Sequence, residues 1–206
     1  MKIAKIKIHY SLVFLVFLSL FTGSFSKILG IIFCIVIHEF SHYIFLKLFK
    51  VNVKYLELSI IGGILDIEEV NLSLIQKLII NAAGVISNLL IIIILKNLNI
   101  ESLNYLISYN TCIMIFNLIP IIPLDGYRIL NDLLSCIYDD DYTFILIKRI
   151  DLVCLIMMLI ILLILRIYGL FLVWCFLIYK YLQYNNDDKR IKNIYYLLKK
   201  WVKMFL

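Results

Sequence analysis

The chain has 206 residues, 64% of them apolar, with a mean hydropathy of +1.00 and a formal net charge of +6. Soluble domains hold about 45–50% apolar residues, so this composition excludes an ordinary globular domain and indicates a membrane protein. The basic residues flank apolar runs, as the anchors of membrane spans do, which excludes nucleic acid as their partner.

Lys2, Lys5 and Lys7 precede a first apolar run over 10–25. No A-x-A cleavage site follows it, so the run is expected to remain as a first span rather than leave as a signal peptide. A second run covers 28–46 and contains His38-Glu39-Phe40-Ser41-His42. Helical residues four apart share a face, so the two imidazoles can bind one metal ion. Glu39 sits about 100° further round the helix and can serve as general base to a water at that ion. Two of the chain's three histidines are in this motif. The plainer reading is a pair of buried histidines satisfied by hydrogen bonds. It is disfavoured because three polar side chains in an apolar run are costly unless something uses them.

From 47 to 77 the chain turns amphipathic, and its β-type content is broken by Gly62-Gly63. That pattern predicts a short hairpin at the membrane surface, with a surface loop as the alternative. Apolar runs follow over 78–95 and 103–120. The latter ends in Asn117-Leu118-Ile119-Pro120-Ile121-Ile122-Pro123-Leu124-Asp125-Gly126, which holds the only two prolines of the chain. The prolines remove backbone donors and break the helix, and Gly126 permits a further turn. Read alone, Asp125 is an N-cap for a helix over 127–137. Read with the histidine motif, it is the candidate third ligand. Asp132, further along, is expected to tolerate substitution without loss of metal or activity.

Asp139-Asp140-Asp141 marks a solvated loop, after which 143–165 and 169–182 form either one long helix or two spans. Charge decides for two. With six spans, only Lys27, Lys96 and Arg166 of the 20 Lys and Arg fall outside, whereas one long helix would put the basic tail there. The tail sets Ile191, Ile194, Leu197, Leu198, Trp201, Val202 and Phe205 on one stripe among lysines, which suits a helix on an anionic membrane surface. The five cysteines, Cys34, Cys112, Cys136, Cys154 and Cys175, are widely spaced without a C-x-x-C pair and read as packing residues.

The expected fold is an all-α polytopic membrane protein with six transmembrane helices. A core over 1–182 has spans near 10–25, 28–46, 78–95, 103–120, 143–165 and 169–182. A small membrane-surface β-hairpin lies between the second and third, a basic tail covers 183–206, and both termini are cytoplasmic. In this topology the second and fourth spans run in one direction. His42 and Asp125 then both fall near the cytoplasmic ends of their spans.

The two motifs together resemble those of the site-2 protease family of intramembrane zinc metalloproteases. That family's second motif is N-x-x-P-x-x-P-x-D-G, which Asn117, Pro120, Pro123, Asp125 and Gly126 match. Ala83-Gly84-Val85-Ile86-Ser87-Asn88 is similar to the family's A-G-P-x-x-N, with Val85 in place of the proline. The resemblance implies that His38, His42 and Asp125 hold one zinc ion and that Glu39 is the general base. It gives Asn117 a part in orienting substrate or steadying an oxyanion, and makes Gly62 and Gly63 part of a membrane-edge strand that an extended substrate pairs with. Pro120, Pro123 and Gly126 are structural members of the motif. The small six-span build is most similar to the sporulation stage IV FB branch, although that branch's better-known members carry a C-terminal CBS domain not seen in this sequence. No PDZ insertion is seen either, which argues against the branch that trims anti-sigma factors. The sporulation branch implies a bacterial cell membrane, a membrane-associated pro-sigma factor as substrate and membrane inhibitor proteins as further partners. Two other classes stay open: a proteolytically inactive zinc-binding scaffold, and a metal or ion transporter. An intact Glu39 argues against the first. The second should show internal repeats and several intramembrane polar clusters, which the sequence lacks.

Overall fold

The structure, a computed structural model, describes residues 5–8, 10, 17, 25–59, 62–67 and 70–186. The expected first span over 10–25 lies outside the described residues except for Tyr10, Phe17 and Phe25. So does the tail from 187 onward. The chain divides into two compact units: Met1–Pro120 with Leu124–Ile147, and Ile121–Pro123 with Lys148–Leu206.

The first unit holds strand β1 (Lys5–Ile8), helix α1 (Phe25–Leu48), strands β2 (Val53–Ser59) and β3 (Gly62–Ile67), and helices α2 (Leu74–Leu98), α3 (Asn104–Leu118) and α4 (Asp125–Leu134). It also takes the first turns of α5 (Asp140–Leu165). Helices α1 and α2 have 24 and 25 residues and are long and apolar enough to cross a membrane. At 1.5 Å per residue each reaches about 36 Å, against a hydrocarbon core of about 30 Å. Their bulkiest apolar side chains, among them Phe33, Phe40, Ile86, Leu90 and Ile94, point outward. Their buried faces gather the small and polar residues, Gly30, Cys34, His38 and His42 on α1 and Ala83, Gly84 and Asn88 on α2, along with Leu46, Ile80 and Ile92. Inward polar groups and outward apolar ones are what a lipid solvent selects.

Local signals set the helix ends. Ser73 caps α2: its Oγ accepts from the Gln76 amide at 3.3 Å, and the Gln76 side chain returns a bond to the Ser73 amide at 2.9 Å. Asn99, at φ 50°, closes the far end in the left-handed conformation. Past α1, Lys50 turns left-handed and the Val51 amide bonds the Leu46 carbonyl at 2.9 Å. This brings Val51 and Val53 into a small core with Leu46 and Ile80, against which Tyr43, Phe45, Phe49 and Leu72 pack. The end of α1, the start of β2 and the start of α2 are thereby fixed together beside His42.

The sheet has the order β1-β2-β3. Strands β2 and β3 pair antiparallel, with Ser59 opposite Gly62 and Leu58 opposite Gly63. Strand β1 pairs parallel to β2, Lys5 opposite Tyr55 and Ile8 opposite Leu58. A third strand is more than the expected hairpin supplies. Lys5-Ile6-Lys7-Ile8 alternates with the strand period of two, a signal masked by reading its lysines only as membrane anchors. Among the described strands, β3 forms an outer edge of the sheet.

In the second unit, α5 ends at Leu165 and Arg166 adopts φ 54°. A 3-10 turn over Tyr168–Leu170 follows, and then helix α6 over 171–186. The Trp174 indole donates to the Leu155 carbonyl at 3.0 Å, and the Lys148 ammonium donates to Asn185 Oδ1. The two helices therefore fold back antiparallel. The stretch 143–182 is two helical segments with the break at Arg166. In the same unit the Ile122 amide, between the two prolines, donates to Asp151 Oδ2 at 3.5 Å.

Candidate metal centre

His38 and His42 stand one turn apart on the buried face of α1, at 2% and 4% exposure. Their rings meet edge-on, with centroids 5.0 Å apart. The His42 ring is pinned from behind, where Nδ1 lies 2.7 Å from the carbonyl oxygen of Ile80 on α2. A carbonyl can only accept, so the proton sits on Nδ1 and Nε2 is left with a free lone pair. That is the tautomer a metal ligand needs, held by a backbone group of the neighbouring helix.

Asp125 reaches the pair from the start of α4. The N-cap of α4 is Leu124, without a side-chain cap bond, so Asp125 is not the cap that its position after the prolines suggests when read alone. Its carboxylate turns to the histidines instead: Oδ2 lies 3.1 Å from His38 Nε2 and 3.2 Å from His42 Nε2. Gly126 makes this approach feasible. A Cβ there would fall 2.5 Å from the carbonyl carbon of Leu118, a backbone atom with nowhere to go, so only glycine lets α4 begin hard against the end of α3. The Pro120–Pro123 segment, with a cis Ile122–Pro123 bond, carries the chain between those two helices. Helix α4 is also tied to α2, where the Asn81 amide donates to Asp132 Oδ2 at 2.7 Å. Burial pushes the Asp132 carboxyl above the usual carboxylate range, against the pull of Asn81 and of nearby Lys77 and Arg128. Asp132, expected from the sequence to tolerate substitution, joins the helix carrying Asp125 to the helix that pins His42.

The three ligand atoms form a triangle, since the two Nε2 atoms are 3.4 Å apart. Asp125 Oδ2 is within ion-pair distance of both nitrogens yet has no partner with hydrogen-bond geometry. The distances describe the site better than either pairing does: three lone-pair atoms face one another, which is repulsive unless a cation lies among them. A tetrahedral zinc site with bonds of about 2.0 Å has edges of about 3.3 Å, so edges of 3.1, 3.2 and 3.4 Å fit one face of it. The space is provided by Gly84 of α2. A Cβ there would lie 2.5 Å from His38 Nε2 and crowd His42 Nε2 as well. The donor set, the orphaned oxygen and the glycine cradle all suit a metal ion held by His38, His42 and Asp125, the group that the described residues bring together.

Glu39 is half-buried on α1, one position past His38. Asn117 is half-buried near the end of α3 and its amide nitrogen bonds the Ile113 carbonyl of its own helix at 3.0 Å. Gly62 and Gly63 open β3. These four are not members of the three-residue cluster. The sequence reading passed over the Ile80 carbonyl, Asn81 and the cradle at Gly84. A mid-span glycine costs about 1 kcal/mol of helix propensity against alanine and so asks for a reason; that signal marked Gly84. A backbone carbonyl leaves none.

No curated protein matches the chain. The fold is similar to that of the site-2 protease from Methanocaldococcus jannaschii, with a TM-score of 0.67 and 26% identity over 89% of this chain and 92% of that one. Residues 26–99, which take in both histidines, Glu39 and Gly84 and end before Asp125, match the family model of Peptidase family M50.

Proposed function

We propose that this protein is a zinc-dependent intramembrane endopeptidase of the site-2 protease kind. The observation that carries the reading is the triangle of His38, His42 and Asp125 inside a bundle whose outer surface is apolar. The match to Peptidase family M50 and the likeness to a site-2 protease support it. In this reading His38, His42 and Asp125 hold the ion, which would supply Lewis acidity toward a peptide carbonyl and toward water. Glu39 takes the proton of the attacking water and delivers it to the leaving amine. Asn117, with its nitrogen bonded to its own helix, has its oxygen to offer to substrate.

A peptide bond inside a helix is shielded by its own hydrogen bonds, so substrate has to arrive extended. Strand β3, at an outer edge of the described sheet and opening with Gly62-Gly63, is the element for it to pair with. The topology that goes with this reading has six spans, both termini in the cytoplasm and cleavage near the cytoplasmic face. Its substrate is a membrane-associated protein, and a pro-sigma factor is the first to try. The test is co-expression with such a substrate. Glu39→Gln should keep the metal and abolish cleavage. Cleavage at the wild-type rate in that variant would refute the mechanism.

A further inference from the structure

One turn below the histidines lies a second polar cluster to which the proposed reaction gives no part. Helices α1 and α2 pass antiparallel, with His42 against Ile80 and His38 against Gly84. The same register, one turn on in each helix, sets Cys34 level with Asn88. Helix α3 reaches that level too, since Asn110 Nδ2 donates to Cys34 Sγ at 3.1 Å and to the Leu106 carbonyl at 2.8 Å. The three residues are at most 1% exposed: Cys34 and Asn110 at 1%, Asn88 at 0%.

Their hydrogen bonding is far from complete. Asn88 Nδ2, Asn88 Oδ1, Asn110 Oδ1 and His38 Nδ1 are all buried without a partner. His38 and His42 differ in this respect. If His38 Nε2 faces the metal, its proton sits on Nδ1, as in His42, but no carbonyl receives it. Two orphaned amide oxygens, Asn88 Oδ1 and Asn110 Oδ1, belong to the cluster one turn along. A single helix can leave one amide unmet. Asn88, the Asn110 oxygen and an imidazole nitrogen left unmet on three packed helices, out of reach of lipid and solvent, call for further polar partners.

We propose that Cys34, Asn88 and Asn110 enclose a binding site for one or two water molecules, and that this water holds the Nδ1 proton of His38. A water offers two donors and two acceptor sites. It can take the His38 proton and donate to the two amide oxygens, while Asn88 Nδ2 is met by a second water. The water then does for His38 what the Ile80 carbonyl does for His42, keeping Nε2 turned to the metal. Asn88 and Asn110 are positioning residues in this scheme. The His38 arm rests on the metal-centre reading; the water site does not.

The experiment is radiolytic hydroxyl-radical footprinting of the metal-free full chain in lipid nanodiscs, with oxidation of Cys34 as the readout. Radicals born from bound water reach a thiol that bulk radicals cannot. Wild-type Cys34 should be oxidised despite its burial, and Asn88→Leu should cut that oxidation several-fold. Zinc affinity, measured by chelator competition, should fall about 10- to 100-fold in Asn88→Leu, the usual effect of losing a partner behind a ligand. Asn88→Ser, which keeps a polar group and room for water, should stay near wild type in both. An unoxidised wild-type Cys34, or equal oxidation in Asn88→Leu, overturns the water site. Unchanged zinc affinity in a variant that has lost the oxidation overturns its link to His38. Oxidation of Cys34 in a chain that binds no zinc would instead overturn the metal-centre reading and leave the water site standing.

Discussion

Replacing Gly84 by alanine sets helix propensity against site geometry. In mid-helix the change should favour folding, since alanine is preferred by about 1 kcal/mol. At the site it should be ruinous, because the new Cβ would lie 2.5 Å from His38 Nε2, where ordinary contact begins at 3.4 Å. The ring must therefore retreat by about 0.9 Å, and the His42 ring, held by Ile80, is crowded at the same time. Metal–ligand distances tolerate only about 0.2 Å, and a displacement near 1 Å costs on the order of 100-fold where geometry is strict. Gly84→Ala should thus lose about 100-fold in zinc affinity by chelator competition. The metal-free protein should keep its fold, because the His38 ring, with no partner at Nδ1, can swing aside. Wild-type zinc affinity in Gly84→Ala would refute the cradle and the position of the ion beside it.

Asp132→Ala should lower the melting temperature, since a hydrogen bond to a carboxylate contributes about 1.5–3 kcal/mol, and should weaken zinc binding several-fold by loosening α4. Asp132→Asn, which can still accept from Asn81, should recover most of both, and equal losses in the two variants would contradict the tie. Gly126→Ala drives a methyl group into the Leu118 backbone and should cost about 3 kcal/mol or more, read as a fall in melting temperature of several degrees. Glu39→Gln is expected to separate the two functions: full zinc content by metal analysis, no cleavage in co-expression.

The three residues of the candidate metal centre were legible because the rules that place them are local. Two histidines four apart share a helix face wherever the helix lies, and two prolines followed by Asp125-Gly126 break a helix whatever surrounds them. What joins those residues was not legible. Helix α2 is apolar nearly all round, so its sequence carries little sign of which face meets α1. That Gly84, and not a neighbour, meets the imidazoles depends on the rotation of α2, which the tertiary packing sets. For the same reason Asn81, Asn88 and Asn110 appear in the sequence as scattered polar residues in apolar runs, and only the packed bundle shows which are paired. The failure at β1 was of another kind. Lys5-Ile6-Lys7-Ile8 has both a strand period and a span-flanking charge pattern, and the two point to different structures. The fourth apolar run gives an α-helix of only 15 residues, since Glu101–Leu103 coils as a 3-10 turn before it.

The central claim is that His38, His42 and Asp125 together hold one zinc ion. X-ray absorption at the zinc edge, on wild type and Asp125→Ala loaded and washed alike, tests it most directly. The wild type should retain one zinc per chain, with two imidazole nitrogens and carboxylate oxygen at about 2.0–2.1 Å. Asp125→Ala should lose the oxygen shell and most of the metal. A wild-type chain without stoichiometric zinc, or an Asp125→Ala spectrum indistinguishable from wild type, would contradict the account.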